Sequence, residues 1–349
     1  MNTVCLPPTV YAIQEAALLI QSGEIVAFPT ETVYGLGADV FNPDAITKIF
    51  YAKRRPQDNP LIVHIADPCD VSNLCYVEHT AKTLIEFFFP GPLTLVMRKK
   101  DIVPKIVTAG LDSVAIRMPS HPIAHAFIKT AGVPIAAPSA NHSGKPSPTT
   151  AAHVMTDLSG RIPMVLDGGE CNIGIESTVL DVRVNPPVIL RPGGVTKESL
   201  DAVVGSVRLS PGILNPLEGA NPSPSPGMRH EHYAPNGTLI LFRGSRLSVL
   251  EAIKTEYDKA VTMGYTSAIF AFAPDIKLLG DRLVFSLGNQ DAPQETAKKL
   301  YALLRSMDEM GISCIYSTIP NLHDIGLGVV NRLVRAARFS IIDTGEEVS

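Results

Sequence analysis

The sequence predicts an α/β protein of two domains joined by a proline-rich connector. Three observations support this. Short apolar runs alternate with helical spacing along most of the chain. Some of these runs follow one another too closely to admit a helix, so the first sheet is expected to be mixed rather than wholly parallel. Composition also changes abruptly at Pro211: residues 211–235 hold six prolines and three glycines. Proline fixes φ and lacks the backbone donor, which excludes a helix or an interior strand and leaves an extended, semi-rigid connector. The predicted division is 1–210, 211–235 and 236–349 of the 349 residues.

In the first domain, strands are expected at 25–28, 61–65, 93–98, 114–117, 134–137, 164–166, 178–182 and 188–191. Helices are expected at 10–21, 43–51, 80–87, 121–131, 149–155 and 197–203. In the second, strands at 238–242, 267–272, 282–286 and 314–317 alternate with helices at 247–259, 293–310 and 326–337, a Rossmann-like layer. No G-x-G-x-x-G accompanies it, so dinucleotide binding is not expected.

Hydrophobic residues make up 45% and charged residues 18%, the range of a packed globular protein. No apolar run reaches the ~18 residues that span a bilayer, and no basic segment with an apolar core opens the chain, so a soluble, cytoplasmic protein without membrane contact is expected. Five scattered cysteines form no C-x-x-C, which argues against a disulfide framework and a cysteine zinc site. The net charge is −4, with 17 basic and 19 acidic residues in 1–210 and 12 and 13 in 236–349. Neither part is a basic module of the kind that binds nucleic acid nonspecifically.

Three polar segments of the first domain carry the chemistry. Phe28-Pro29-Thr30-Glu31-Thr32-Val33-Tyr34-Gly35-Leu36-Gly37 follows a strand, with hydroxyls at Thr30 and Thr32 and glycines that would let backbone approach a ligand. An ordinary turn would use the same residues. Lys53-Arg54-Arg55 opens a loop ahead of His64; three successive cations suit a polyanion, or a solvated basic loop. Pro138-Ser139-Ala140-Asn141, running on to Ser147, lies beyond a strand, where open α/β sheets place ligands. Gly144-Lys145 is not a P-loop, because Pro146 stands where Ser or Thr is required. The chain has no H-E-x-x-H and no G-x-S-x-G, and His230 with His232 supplies only two ligands, so no metal site is expected.

Together these segments resemble the YrdC-type threonylcarbamoyl-AMP synthases, in the long form with a C-terminal domain. The resemblance rests on Pro29–Gly37, Lys53-x-Arg55, Asn59-Pro60-Leu61 with His64, Pro90-Gly91-Pro92-Leu93-Thr94, Arg117-Met118-Pro119, Pro138–Asn141, Ser177-Thr178 and Arg191-Pro192-Gly193. It extends through Ser225-Pro226-Gly227-Met228, His232–Pro235 and Gly326-x-Gly328 with Asn331-Arg332, and so covers nearly the whole chain.

The resemblance implies a twisted mixed-sheet YrdC-like domain with a concave, positively lined cavity, and a smaller Rossmann-like domain behind a lid-like connector. It implies the joining of L-threonine, bicarbonate and ATP into threonylcarbamoyl-adenylate with release of pyrophosphate and water. The product would pass to a tRNA threonylcarbamoyltransferase complex that modifies adenosine beside the anticodon. By this resemblance Lys53 and Arg55 are catalytic, and Thr32, His64, Arg117, Ala137 and Ser177 hold threonine. Arg55, Asn59, Ser113, Ser139, Asn141, Ser147, Arg191, His232 and Tyr233 hold ATP, which brings Mg²⁺ with it; no tightly bound cofactor is expected. The competing reading is an RNA-binding protein that recognises tRNA or double-stranded RNA. The acidic balance and the lack of an aromatic stacking motif weigh against it and leave at most a weak tRNA contact.

Overall fold

The computed structural model of the protein describes residues 2–215 and 233–345. Contacts divide these into two compact units. The first holds 2–143 and 147–213; the second holds 144–146, 214–215 and 233–345.

The first unit is built on an eleven-stranded mixed sheet. Its strands are β1 (Val4–Leu6), β2 (Val26–Phe28), β3 (Gly35–Asp39), β4 (Ile62–His64), β5 (Leu93–Arg98), β6 (Ser113–Arg117), β7 (Ile135–Ala137), β8 (Met164–Leu166), β9 (Thr178–Asp181), β10 (Val188–Arg191) and β11 (Arg208–Leu209). They lie in the order β1-β8-β2-β3-β7-β4-β6-β5-β9-β10-β11. Pairing alternates in hand: β4 and β6 are parallel, whereas β7 runs antiparallel to β4 and β5 antiparallel to β6.

The helices are α1 (Val10–Gln21), α2 (Pro43–Lys53), α3 (Asp70–Leu74), α4 (His79–Phe88), α5 (Pro122–Ala131), α6 (Ala151–Leu158) and α7 (Lys197–Val204). Sequence sets their ends. The Thr9 hydroxyl accepts from the Ala12 amide to open α1, and the Asn42 side chain accepts from Asp44 and Ala45 ahead of Pro43 to open α2. Thr150 caps α6, which is why that helix begins two residues after the 149–155 expectation. On α1, Ala12, Ala16, Ala17 and Ile20 are buried, and with Ala124, Phe127, Ile128 and Ala131 of α5 they form the core over β2, β7 and β8.

The expected strands all form, within one or two residues at their ends. Among the described residues, four strands fall outside the expected ones. β3 reads Gly-Leu-Gly-Ala-Asp, a poor strand sequence, and forms because tertiary packing demands it. A Cβ on Gly37 would lie 2.6 Å from the Ile135 side chain and 2.9 Å from the Phe28 ring. Gly37 is therefore called for by packing against Ile135 and Phe28, and Gly35 packs closely on the same Phe28 ring.

The second unit is a five-stranded, wholly parallel sheet made of β12 (Thr238–Arg243), β13 (Ser267–Ala271), β14 (Val284–Ser286), β15 (Cys314–Thr318) and β16 (Ile341–Asp343). Helices α8 (Arg246–Thr262), α9 (Pro293–Glu309) and α10 (Gly326–Ala336) accompany it. The order β14-β13-β15-β12-β16 keeps the expected parallel α/β layer but inserts β15 between β12 and β13, unlike the dinucleotide-binding order. Arg332 on α10 is wholly buried and donates to the Asn331 side chain at 2.9 Å. A Cβ on Gly326 would stand 2.1 Å from the Asn321 carbonyl oxygen, so only glycine can begin α10 there. Among the described residues, no helix is long and apolar enough to cross a membrane.

Candidate active site

Strand register sorts the expected site residues of the first unit into two groups. At one end of the central strands, His64 lies beside Arg117, and Thr178, next to Ser177, pairs with Leu93. Arg191 closes β10 at the same end, opposite Val179. At the other end lie Ser113, the first residue of β6, and Asn59, just ahead of β4. Ala137 pairs there with Ile62, and Ser139 bridges to Gly35. With a rise of about 3.3 Å per residue, Ser113 and Arg117 stand about 13 Å apart along β6.

The first group is built around Arg117, which is only 3% exposed. Its guanidinium meets Glu31 Oε1 at 2.8 Å and donates to Thr32 Oγ1 at 2.9 Å and the Gly91 carbonyl at 3.2 Å. Glu31 Oε1 also accepts the Ser120 amide, whereas Oε2 is buried without a hydrogen-bond partner among the described residues. Burial pushes the Glu31 carboxyl upward, but the Arg117 guanidinium and the backbone donors outweigh it and hold the group below its usual range. Around the pair, the Thr30 hydroxyl accepts the Thr32 and Val33 amides and donates to the Val33 carbonyl, so the 29–34 loop is tied to itself.

His64 is buried, edge-on to Phe28, with Nδ1 3.1 Å from the Ile62 carbonyl. Burial, reinforced by the positive charge of Arg117, pulls its pKa down to about 3 and keeps the imidazole neutral at neutral pH. Ser177 shares a 2.7 Å hydrogen bond with Thr94, and Arg191 donates to the Ser177 carbonyl at 3.1 Å and its hydroxyl at 3.3 Å. Arg191, expected on the nucleotide, thus lies with the group expected to hold threonine. Ala137, expected on threonine, lies two register positions from His64, with the other group.

In the second group the basic triplet splits. Lys53, the last residue of α2, is 1% exposed and donates to the Ser139 carbonyl at 2.5 Å and to the Asn141 carbonyl. Arg55 is also buried and donates to the Asn59 and Pro60 carbonyls at 3.2 and 3.1 Å. The Ser139 hydroxyl donates to Asn141 Oδ1 at 2.5 Å. The two groups are joined by loops: the Tyr34 amide donates to Pro148, the Ala140 amide to Tyr34, and the Ser147 hydroxyl to Glu176 Oε1 at 2.5 Å.

Tyr233 belongs to the second unit. There it is buried in a left-handed conformation, 5.3 Å from the Tyr301 ring and 5.8 Å beneath the Arg332 guanidinium. His232 lies outside the described residues. Sequence reasoning gave no role to Glu31, Glu176 or Thr94. The available signal was an acidic side chain directly beside an expected ligand hydroxyl, at Glu31-Thr32 and Glu176-Ser177.

The neutral state of His64 makes stability depend on pH. Because its native pKa of about 3 lies below its unfolded value of 6.5, its contribution is fully present above pH 6.5 and is lost progressively as pH falls toward 3. Urea unfolding of wild-type protein should therefore weaken between pH 6.5 and 4.5, and His64→Gln should flatten that interval. Equal slopes in the two proteins would show that His64 is not held neutral.

Comparison with known proteins identifies the family. The Sua5/YciO/YrdC family model, described as "Telomere recombination", matches residues 18–193, and the model "Threonylcarbamoyl-AMP synthase, C-terminal domain" matches 195–338. The chain is 46% identical to a Bacillus subtilis threonylcarbamoyl-AMP synthase, covering 95% of this chain and 94% of that one. It is 42% identical to the Pyrococcus abyssi threonylcarbamoyl-AMP synthase, over 95% and 96%. The crystal structure of P. abyssi Sua5 complexed with L-threonine matches 98% of both chains with a TM-score of 0.91 at 41% identity. The chain belongs to the threonylcarbamoyl-AMP synthase family of nucleotidyl-transferring enzymes, in the long form that carries the C-terminal domain.

Proposed function

We propose that the protein joins L-threonine, bicarbonate and Mg²⁺-ATP into threonylcarbamoyl-adenylate, releasing pyrophosphate and water. The observation that carries this reading is the bipartite arrangement along β4, β6 and β7: a buried guanidinium with its carboxylate at one end, and two buried cations with a Ser–Asn loop at the other. An elongated substrate with an amino acid at one end and a nucleotide at the other fits such a site. The P. abyssi relative, solved with L-threonine, supports the amino-acid end.

Threonine's α-carboxylate is assigned to Arg117, with Thr32, His64 and Ser177 around it, and Ala137 supplying backbone. Glu31 Oε2, buried without a donor among the described residues, would gain one from the amino acid's amine or hydroxyl. Addition of the amine to bicarbonate gives the carbamate and one water. A carbamate oxygen then attacks the α-phosphorus, and pyrophosphate leaves with its Mg²⁺. Lys53 and Arg55 stabilise the developing phosphate charge, while Asn59, Ser113, Ser139, Asn141 and Ser147 hold the nucleotide and Arg191 meets its phosphates from beside Ser177. The amino-acid end admits little water, with His64 and Ser177 5% and 1% exposed, which suits a carbamate that decomposes in water.

The proposed division is a catalytic domain at 1–210, a connector at 211–235 and a C-terminal domain from 236. The product would supply the threonylcarbamoyl group for tRNA adenosine beside the anticodon, through a separate transferase in the cytoplasm.

Incubation with Mg²⁺-ATP, bicarbonate and each amino acid in turn should give pyrophosphate and the adenylate, detected by mass spectrometry, with threonine only. Lys53→Ala and Arg55→Ala should each lower that release by about 10²-fold, the scale of one preorganised charge contact. Near-wild-type turnover in both variants would remove these residues from the mechanism. Truncation after residue 210 should leave a folded domain, judged by circular dichroism, with impaired turnover. An unchanged rate would make the connector a tether only.

A further inference from the structure

The basic triplet leaves one cation unused. Lys53 and Arg55 turn inward onto carbonyls, but Arg54 between them turns outward and takes no part in either group. Arg54 ends α2 in the left-handed region, at φ 54° and ψ 42°, where glycine or asparagine is favoured and a branched-out side chain is strained. A side chain kept at such a position calls for a reason outside the helix.

The surroundings supply one. Arg54 lines a surface cavity of about 470 Å³ with Thr47, Phe50, Tyr51, Gln57, Arg161 and one face of Arg55. This volume lies within the range of small-ligand sites. Arg161 is half-buried, and among the described residues neither its guanidinium nor that of Arg54 has a carboxylate partner. Lys48, on the adjoining groove, is already neutralised by Glu24 at 2.6 Å. The two guanidinia make themselves felt at His142 nearby: burial lowers its pKa, Arg161 and Arg54 lower it further, and Asp157 partly opposes them. Tyr51, 84% exposed, adds a flat apolar ring at the rim.

We propose that Arg54 and Arg161 form a second anion site, on the outer side of α2, for a phosphoanhydride: pyrophosphate, or the polyphosphate end of a nucleotide. Two unneutralised guanidinia across a small cavity suit paired, bidentate contacts to phosphate oxygens. Tyr51 offers a stacking face to a base where the ligand carries one. Arg55 reaches both this cavity and the group assigned to ATP, so the second site adjoins the first and could receive the departing pyrophosphate. The cavity does not depend on the proposed turnover, since it is defined by binding alone.

Calorimetric titration of the full-length protein with pyrophosphate, without threonine or bicarbonate, tests this. Arg54→Gly relieves the left-handed strain and so should keep the fold, and Arg161→Gln keeps a polar side chain. Each should lose one pyrophosphate site per chain, or weaken it at least tenfold, with threonine-dependent turnover within twofold of wild type. Parallel titrations with ATP and AMP separate the sources. A Tyr51→Ala effect confined to the nucleotides identifies a base-bearing ligand, and no Tyr51→Ala effect identifies pyrophosphate itself. Pyrophosphate binding of unchanged stoichiometry and affinity in both arginine variants would overturn the proposal. So would an RNA stem-loop whose binding falls in Arg54→Gly while pyrophosphate binding does not, since the face would then serve an RNA backbone.

Discussion

The first unit depends on one buried ion pair. Removing both Arg117 and Glu31 from water costs several kcal/mol per ion, so the pair persists only where further hydrogen bonds complete it. Here those bonds come from Thr32, the Gly91 carbonyl and the Ser120 amide. Each lies on a different segment, so holding this ion pair fixes the 29–34 loop, the 90–92 turn and the segment after β6 relative to one another. This accounts for motifs that look unconnected in sequence. Pro90-Gly91 must present a carbonyl, and Thr32 must present a hydroxyl beside Glu31. Among the described residues Glu31 Oε2 has no donor, and the proposed function assigns a polar substrate group to it.

Much of the fold was legible because it follows local rules. Helices α1 and α5 announce themselves by apolar spacing and by Thr9 and Pro122, and β5, β8 and β10 by compact apolar runs. What escaped was decided by distant partners. β3 is a strand because it pairs with both β2 and β7, and Phe28 and Ile135 leave room only for glycine at position 37. β1 exists because Val4, Cys5 and Leu6 find an edge at β8, more than 150 residues away. The site was legible as a list of segments, through their resemblance to a family, but not as an arrangement. Nothing local could show that β7 runs antiparallel to β4, which moves Ala137 to the end opposite His64, or that β10 runs antiparallel to β9, which leaves Arg191 beside Ser177.

The Lys53-Arg54-Arg55 run shows the limit of reading charge from sequence. Three consecutive cations suggest one basic loop, yet the end of α2 sends them in three directions. Lys53 still lies on the buried face of the helix and reaches the Ser139–Asn141 loop. Arg54 takes the left-handed cap and faces outward. Arg55, beyond the cap, turns back onto the Asn59 and Pro60 carbonyls. A helix C-terminus carries partial negative charge on its last carbonyls, which favours cations at this point whatever their later direction. The triplet is thus partly a consequence of helix physics, and only the orientation of each residue assigns it to a site.

The neutrality of His64 follows from the same constraint and bears on the chemistry. A protonated imidazole beside Arg117 would place two cations in a space with one carboxylate, and burial together with the guanidinium suppresses that state. Beside the neutral ring stand the Arg117 guanidinium and the Glu31 carboxylate, with the Arg191 guanidinium held farther along at Ser177. An amino acid entering as a zwitterion brings one charge of each sign and leaves that balance intact, whereas a basic or acidic side chain would not. Under the proposed function, the charge balance at this end of β4 and β6 therefore disfavours an amino acid with a charged side chain.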